Sequence, residues 1–171
     1  LQIQHNTYTM HLNDLPLDIG YASERVSVQS GDGSSHIIGG QDGKTQLIIC
    51  APFVDNDLLL ELQKIEKELP KGGEYEVTAS LVFAEPLKEK LTLQRFQTFS
   101  DDKEEFADFY ATKLSGEPYD GALTKALILI SKDGAIFYDE FLTDLSEKFN
   151  LPTLLRKIYA AQTCYTGKGC H

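Results

Sequence analysis

The stretch Thr45-Gln46-Leu47-Ile48-Ile49-Cys50-Ala51-Pro52, continuing through Phe53-Val54 into Asp55-Asn56-Asp57-Leu58-Leu59-Leu60-Glu61-Leu62, decides the fold class. Leu47 to Ala51 is an unbroken apolar run, the mark of a strand buried on both faces, and Pro52 closes it. Asp55, Asn56 or Asp57 can cap the helix that follows. In it Leu58, Leu59, Leu62, Ile65 and Leu69 recur at helical spacing up to the stop signal Pro70-Lys71-Gly72-Gly73. Buried strands separated by helices call for parallel crossovers with the helices packed on the sheet.

Working outward, Tyr75 to Phe83 reads as a second strand, broken by Glu85-Pro86, and Leu91 to Phe99 becomes strand-like at its end. Ser100-Asp101-Asp102 caps a helix expected from Lys103 to about Leu114, and Ser115 to Asp120 reads as a loop. Ala122 to Ser131 is a third buried strand. Lys132-Asp133-Gly134 supplies the turn into the returning strand Ala135 to Phe141, since Asp-Gly provides the positive-φ positions a hairpin needs. Leu151-Pro152 opens a last helix to about Gln162. Toward the start, Thr7 to Ile19 alternates around Asn13-Asp14 and predicts a β-hairpin over residues 7–19. The order after that hairpin is β-α-β-α-β-β-α, an α/β class with a mixed sheet. The 171 residues suffice for one domain with a full core, expected over 1–171 with a tail at 163–171.

Composition narrows the function. Hydrophobic residues are 42% and charged residues 25%, the profile of a globular chain. The formal net charge of −10 suits a phosphate backbone poorly, so nucleic acid is not an expected partner. No apolar run reaches the ~20 residues of a membrane span. The three cysteines, Cys50, Cys164 and Cys170, make no disulfide framework, and Leu1 to Tyr8 shows no signal-peptide pattern; the expected location is the cytoplasm.

Three stretches together resemble the atypical two-cysteine thiol peroxidases, a branch of the peroxiredoxins. They are Thr9 to Leu17 (Thr-Met-His-Leu-Asn-Asp-Leu-Pro-Leu), Thr45 to Leu69, and Tyr110 to Phe141 with Gly116, Pro118 and Gly121 in matching places. Their co-linear order covers about residues 7–162. The resemblance implies a thioredoxin fold, a central mixed sheet flanked by helices. It also implies a Pro-x-x-x-Thr-x-x-Cys motif, whose Cys is the peroxidatic nucleophile at a helix N-terminus, where dipole and amides lower a thiol pKa. Here Pro52 matches, but Asn56 stands at the Thr position and Leu59 at the Cys position. The resolving Cys belongs near Leu93, yet no cysteine lies between 50 and 164, and Lys125 stands at the position of an Arg that polarises peroxide. Four replacements at one pocket imply that the family chemistry is lost and that the vestigial pocket, around Pro52, Asn56, Leu59 and Lys125, is apolar and inert.

Two function classes follow. In one, the protein is a binding or interaction protein that no longer reduces peroxides. In the other, Cys164 and Cys170, in Cys-Tyr-Thr-Gly-Lys-Gly-Cys-His, form a redox dithiol served by a thioredoxin-type reductant; Gly167 and Gly169 let that loop close. An incidental tail, and a metal site of Cys164, Cys170 and His171, stay open beside it, although the spacing is not a zinc pattern. No motif calls for a cofactor. Cys50 reads as a small core residue, the alternative being a displaced nucleophile that would lack the field of a helix N-terminus inside its strand. The resemblance also implies a homodimer, through loops carrying Phe53, Pro118 and Tyr119.

Overall fold

The computed structural model describes residues 1–163, so Cys164, Cys170 and the rest of the 163–171 tail beyond Thr163 lie outside the described residues. Among the described residues, ten strands and three α-helices follow one another. They are β1 (Gln2–His5), β2 (Tyr8–Leu12), β3 (Val26–Gln29), β4 (Ser35–Ile38), β5 (Thr45–Cys50), α1 (Asn56–Glu68), β6 (Val77–Phe83), β7 (Phe96–Ser100), α2 (Glu105–Tyr110), β8 (Leu114–Ser115), β9 (Ala126–Ile130), β10 (Ile136–Phe141) and α3 (Leu151–Thr163). Seven strands form one sheet in the order β10-β9-β5-β6-β7-β3-β4. β5, β6 and β7 are parallel, and β9, β10 and the β3–β4 hairpin are antiparallel to their neighbours. This is the mixed, helix-flanked sheet expected for a thioredoxin fold.

Burial explains the centre. Every residue of β5 and β9 is buried, because each strand has a strand on both sides and a core on both faces. One core joins Leu47 and Ile49 to Leu58, Leu62 and Ile65 of α1, to Leu69 at its C-cap, and to Leu154 and Ile158 of α3. The other joins Ile48 and Cys50 to Phe106 and Tyr110 of α2. α1 starts as its sequence predicts: Asp55 is the cap, its Oδ1 accepting the Leu58 N–H at 2.8 Å.

The N-terminal hairpin is real but displaced. It turns at Asn6-Thr7, not at Asn13-Asp14, with Ile3 paired to Met10, and residues 15–19 form no strand. Asn6 sits at φ 54°, a conformation Asn tolerates. Asn13 instead donates to Ser115 Oγ at 2.9 Å, where β2 continues onto β8, so part of the expected loop 115–120 is strand. The second helix is also shorter than expected. Its N-cap is Glu104, at φ 58°; Asp101, three residues earlier, accepts the N–H groups of Phe106 and Ala107 at 2.9 and 2.8 Å, and Ala111 at φ 57° ends it.

Between β6 and β7 the crossover, residues 84–95, contains no helix or strand. Its end is fixed by Glu66 of α1, a buried carboxylate that accepts the N–H groups of Gln94 and Arg95 at 3.0 and 2.9 Å. The Arg95 guanidinium in turn donates to the carbonyls of Leu69, Pro70 and Val77.

Gly39 tests how the β4–β5 connection is packed. It lies at φ 80°, and a Cβ there would collide with the Glu24 carbonyl oxygen and the Tyr110 hydroxyl. Gly39→Ala is expected to lower stability by at least ~2 kcal/mol. Gly33→Ala, at a similar φ with open space around it, is expected to cost clearly less. Thermal unfolding of both variants checks the difference.

Candidate functional site

Pro52 ends β5 and turns the chain so that α1 begins with its N-terminus beside the C-terminal end of the sheet. Lys125 immediately precedes β9, the strand paired with β5 through Cys50 and Ala126. The fold therefore brings Pro52 and Lys125 to the wall of one small cavity, about 80 Å³, shared with His5, Asp55, Glu61 and Leu145. Asn56 and Leu59 do not line it. Asn56 is exposed on the first turn, and Leu59 is half-buried one position past Leu58, which does line the cavity.

The pocket is not apolar, contrary to expectation. Its floor is an ion pair: Lys125 Nζ lies 2.7 Å from Glu61 Oε1, with the two residues only 6% and 9% exposed. Each charge has further partners. Lys125 Nζ donates to the Glu147 carbonyl at 2.6 Å and sits 5.1 Å from the centre of the Phe149 ring. Glu61 Oε2 accepts the Phe149 N–H at 2.6 Å. The pair thus ties α1, the start of β9 and the segment leading into α3.

His5 from β1 forms the outer wall. Its ring packs 5.4 Å from both Phe53 and Tyr119, which are themselves 4.9 Å apart. Phe53 and Tyr119 therefore spend much of their apolar surface on each other and on His5, while Pro118 stays exposed. The His5 Nδ1 atom is buried with no hydrogen-bond partner.

Cys50 is 1% exposed inside β5, and loss of water around it pushes its thiol pKa well up. It is the only free cysteine among the described residues. A raised pKa keeps this sulfur as the thiol rather than the nucleophilic thiolate. Among the described residues no group of three or more His, Cys, Asp or Glu side chains could hold a metal ion. No helix there is long and apolar enough to cross a membrane.

Glu61 was not among the candidates the sequence pointed to. Its signal was available: it falls between Leu58 and Leu62 on the apolar stripe of α1, where a charged residue must find a partner.

Removing one partner of such a pair strands a buried charge. Lys125→Ala is expected to cost about 3–5 kcal/mol. Glu61→Leu combined with Lys125→Met is expected to regain at least half of that loss, because no unpaired charge is left inside. Urea unfolding at matched m-values checks both.

No family model matches the sequence. The chain is 24% identical over 147 residues to the thiol peroxidase of Aquifex aeolicus (strain VF5), covering 83% of this chain and 87% of that protein. Among solved structures it resembles a peroxiredoxin-like protein from Aquifex aeolicus, with TM-score 0.83 and 20% identity over 94% of this chain and 96% of that one. It also resembles the thiol peroxidase from Chromobacterium violaceum, with TM-score 0.77 and 13% identity over 95% and 97% of the two chains. AhpC from Mycobacterium tuberculosis aligns with TM-score 0.66 and 16% identity over 87% and 95%. The chain is thus similar in sequence to a thiol peroxidase and shares the thioredoxin fold of the peroxiredoxin structures.

Proposed function

We propose that this chain is a thiol peroxidase-like protein that no longer reduces peroxides and acts instead through binding. The observation that carries the reading is the closed ion pair of Glu61 and Lys125 beside Pro52. Peroxide reduction by a thiol needs a thiolate sulfur that attacks one peroxide oxygen. The O–O bond breaks, the second oxygen leaves as hydroxide or water, and the sulfur becomes a sulfenic acid. At the helix N-terminus where that sulfur would stand, the chain has Leu59. The nearby cation is already matched by Glu61, and Asp55 and Asp57 add negative charge at the mouth, which disfavours a thiolate. Cys50 is shielded by burial. Pro52 and Lys125, with Asn56 and Leu59 on the adjoining turn, then mark a vestigial pocket.

The redox alternative places the chemistry on Cys164 and Cys170, working with a thioredoxin-type reductant. Oxidation of that pair removes two hydrogens from the tail, which intact mass before and after reduction reads directly.

Purified protein is expected to consume hydrogen peroxide with thioredoxin and its reductase no faster than a protein-free control. A rate abolished by Cys50→Ser would overturn the reading. A rate abolished only by Cys164→Ser or Cys170→Ser would transfer the function to the dithiol.

The homodimer is a further part of the proposal, with Pro118 and the His5–Phe53–Tyr119 cluster at its interface. Light scattering is expected to give twice the 19.1 kDa chain mass, and a mass of one chain at high concentration refutes it. Pro118→Asp, at an exposed position, is expected to shift the protein toward monomer.

A further inference from the structure

A second concavity, about 680 Å³, shares no lining residue with the Lys125 pocket. Its size falls within the ~300–1,000 Å³ of ligand sites. Its base is the outer edge of β7. On its inner side β7 pairs with β6 from Phe96 to Ser100, but on its outer side β3 pairs with it only at Ser100, through Gln29. β3 stops there because Ser30 to Ser34 folds into a tight turn, with Gly33 N–H bonded to the Ser30 carbonyl and Ser30 N–H to the Ser34 carbonyl. Among the described residues no strand pairs with the outer edge of Phe96–Phe99. The opposite wall is the irregular 84–95 crossover, which contributes Leu87, Leu91 and Leu93.

Exposed sheet edges are normally blunted by charge, proline, bulges or brevity. The two outermost strands of the sheet obey this. β10 carries Asp139 and Glu140 and a register shift between Ile136 and Tyr138, and β4 has four residues. β7, Phe-Gln-Thr-Phe-Ser, has no charge and no proline, yet its edge opens into an apolar groove. The charge of the groove is also unlike the rest of the chain. In a protein of net charge −10 its charged lining residues are Lys88, Lys90 and Glu89, with the His36 ring tilted against Phe99 at 5.2 Å between centres. Both lysines are exposed.

We infer that this groove binds an extended, acidic segment of a partner protein, which adds as a strand to β7. Main-chain hydrogen bonds to Phe96–Phe99 supply the pairing. Alternate side chains enter the Leu87–Leu91–Leu93 wall, and carboxylates on the other face meet Lys88 and Lys90. The site does not depend on whether any peroxidase activity remains.

The test is fluorescence anisotropy of the full chain with three labelled peptides: alternating Val and Glu, alternating Val and Lys, and the Val–Glu peptide with a central proline that removes a ladder N–H. The Val–Glu peptide is expected to bind at least ~tenfold more tightly than either control. Its binding is expected to slow amide exchange within Phe96–Phe99. Lys88→Glu with Lys90→Glu, two surface changes that leave the core intact, is expected to invert the preference between Glu and Lys peptides. Absence of binding, equal binding of the three peptides, or an unchanged preference in the double variant overturns the inference. Concentration-dependent self-association of the free protein that the double variant abolishes also overturns it, because the occupant is then a second copy.

Discussion

Lys125 and Glu61 are both withdrawn from water, and every consequence at this end of the molecule follows from keeping them paired. An ammonium and a carboxylate inside a protein each carry a desolvation penalty of several kcal/mol, recovered only when geometry and additional hydrogen bonds are good. Here they are. The lysine reaches a carboxylate, a carbonyl and the face of Phe149, and the glutamate takes the Phe149 N–H with its second oxygen. Three separate parts of the chain are thereby held in one arrangement. The pair adds little net stability relative to an apolar filling of the same space, but it makes any other arrangement of α1 against β9 expensive.

The same pair fixes the electrostatics of the pocket. A thiol is activated by uncompensated positive charge at a helix N-terminus. Around the N-terminus of α1 stand Asp55, Asp57 and Glu61, with Asp55 already bonded to the Leu58 N–H and Lys125 already bonded to Glu61. A cysteine placed at position 59 would therefore find no uncompensated cation beside it.

Much of the frame was legible. The continuous apolar run of β5, the leucine stripe of α1 and the Asp133-Gly134 turn each read correctly, because each is a local pattern that the tertiary structure reinforces. The misplaced hairpin shows the limit. Asn13-Asp14 is a strong turn signal, but Asn13 is taken by Ser115, 102 residues away, while the weaker Asn6-Thr7 turns the chain. Similarly Ala111 gave no sign of ending α2; its left-handed conformation comes from the chain having to reach β8. At the site, Lys125 was among the candidates, whereas its partner was not. Its partner lies 64 residues earlier, and only the folded chain joins them.

Glu61 and Glu66 lie on the buried stripe of one helix and bind different parts of the chain. Glu61 closes one site by matching its cation. Glu66 binds the backbone at Gln94 and Arg95, and so holds a crossover that lacks a helix where it meets β7. A helix in that crossover would bury its apolar face against the sheet; an irregular segment pinned at its end leaves part of the β7 edge uncovered instead. A fold of this kind sets where residues stand, not which chemistry they perform. One end of α1 thus matches a buried cation with a carboxylate, and its other end pins a crossover beside an uncovered sheet edge.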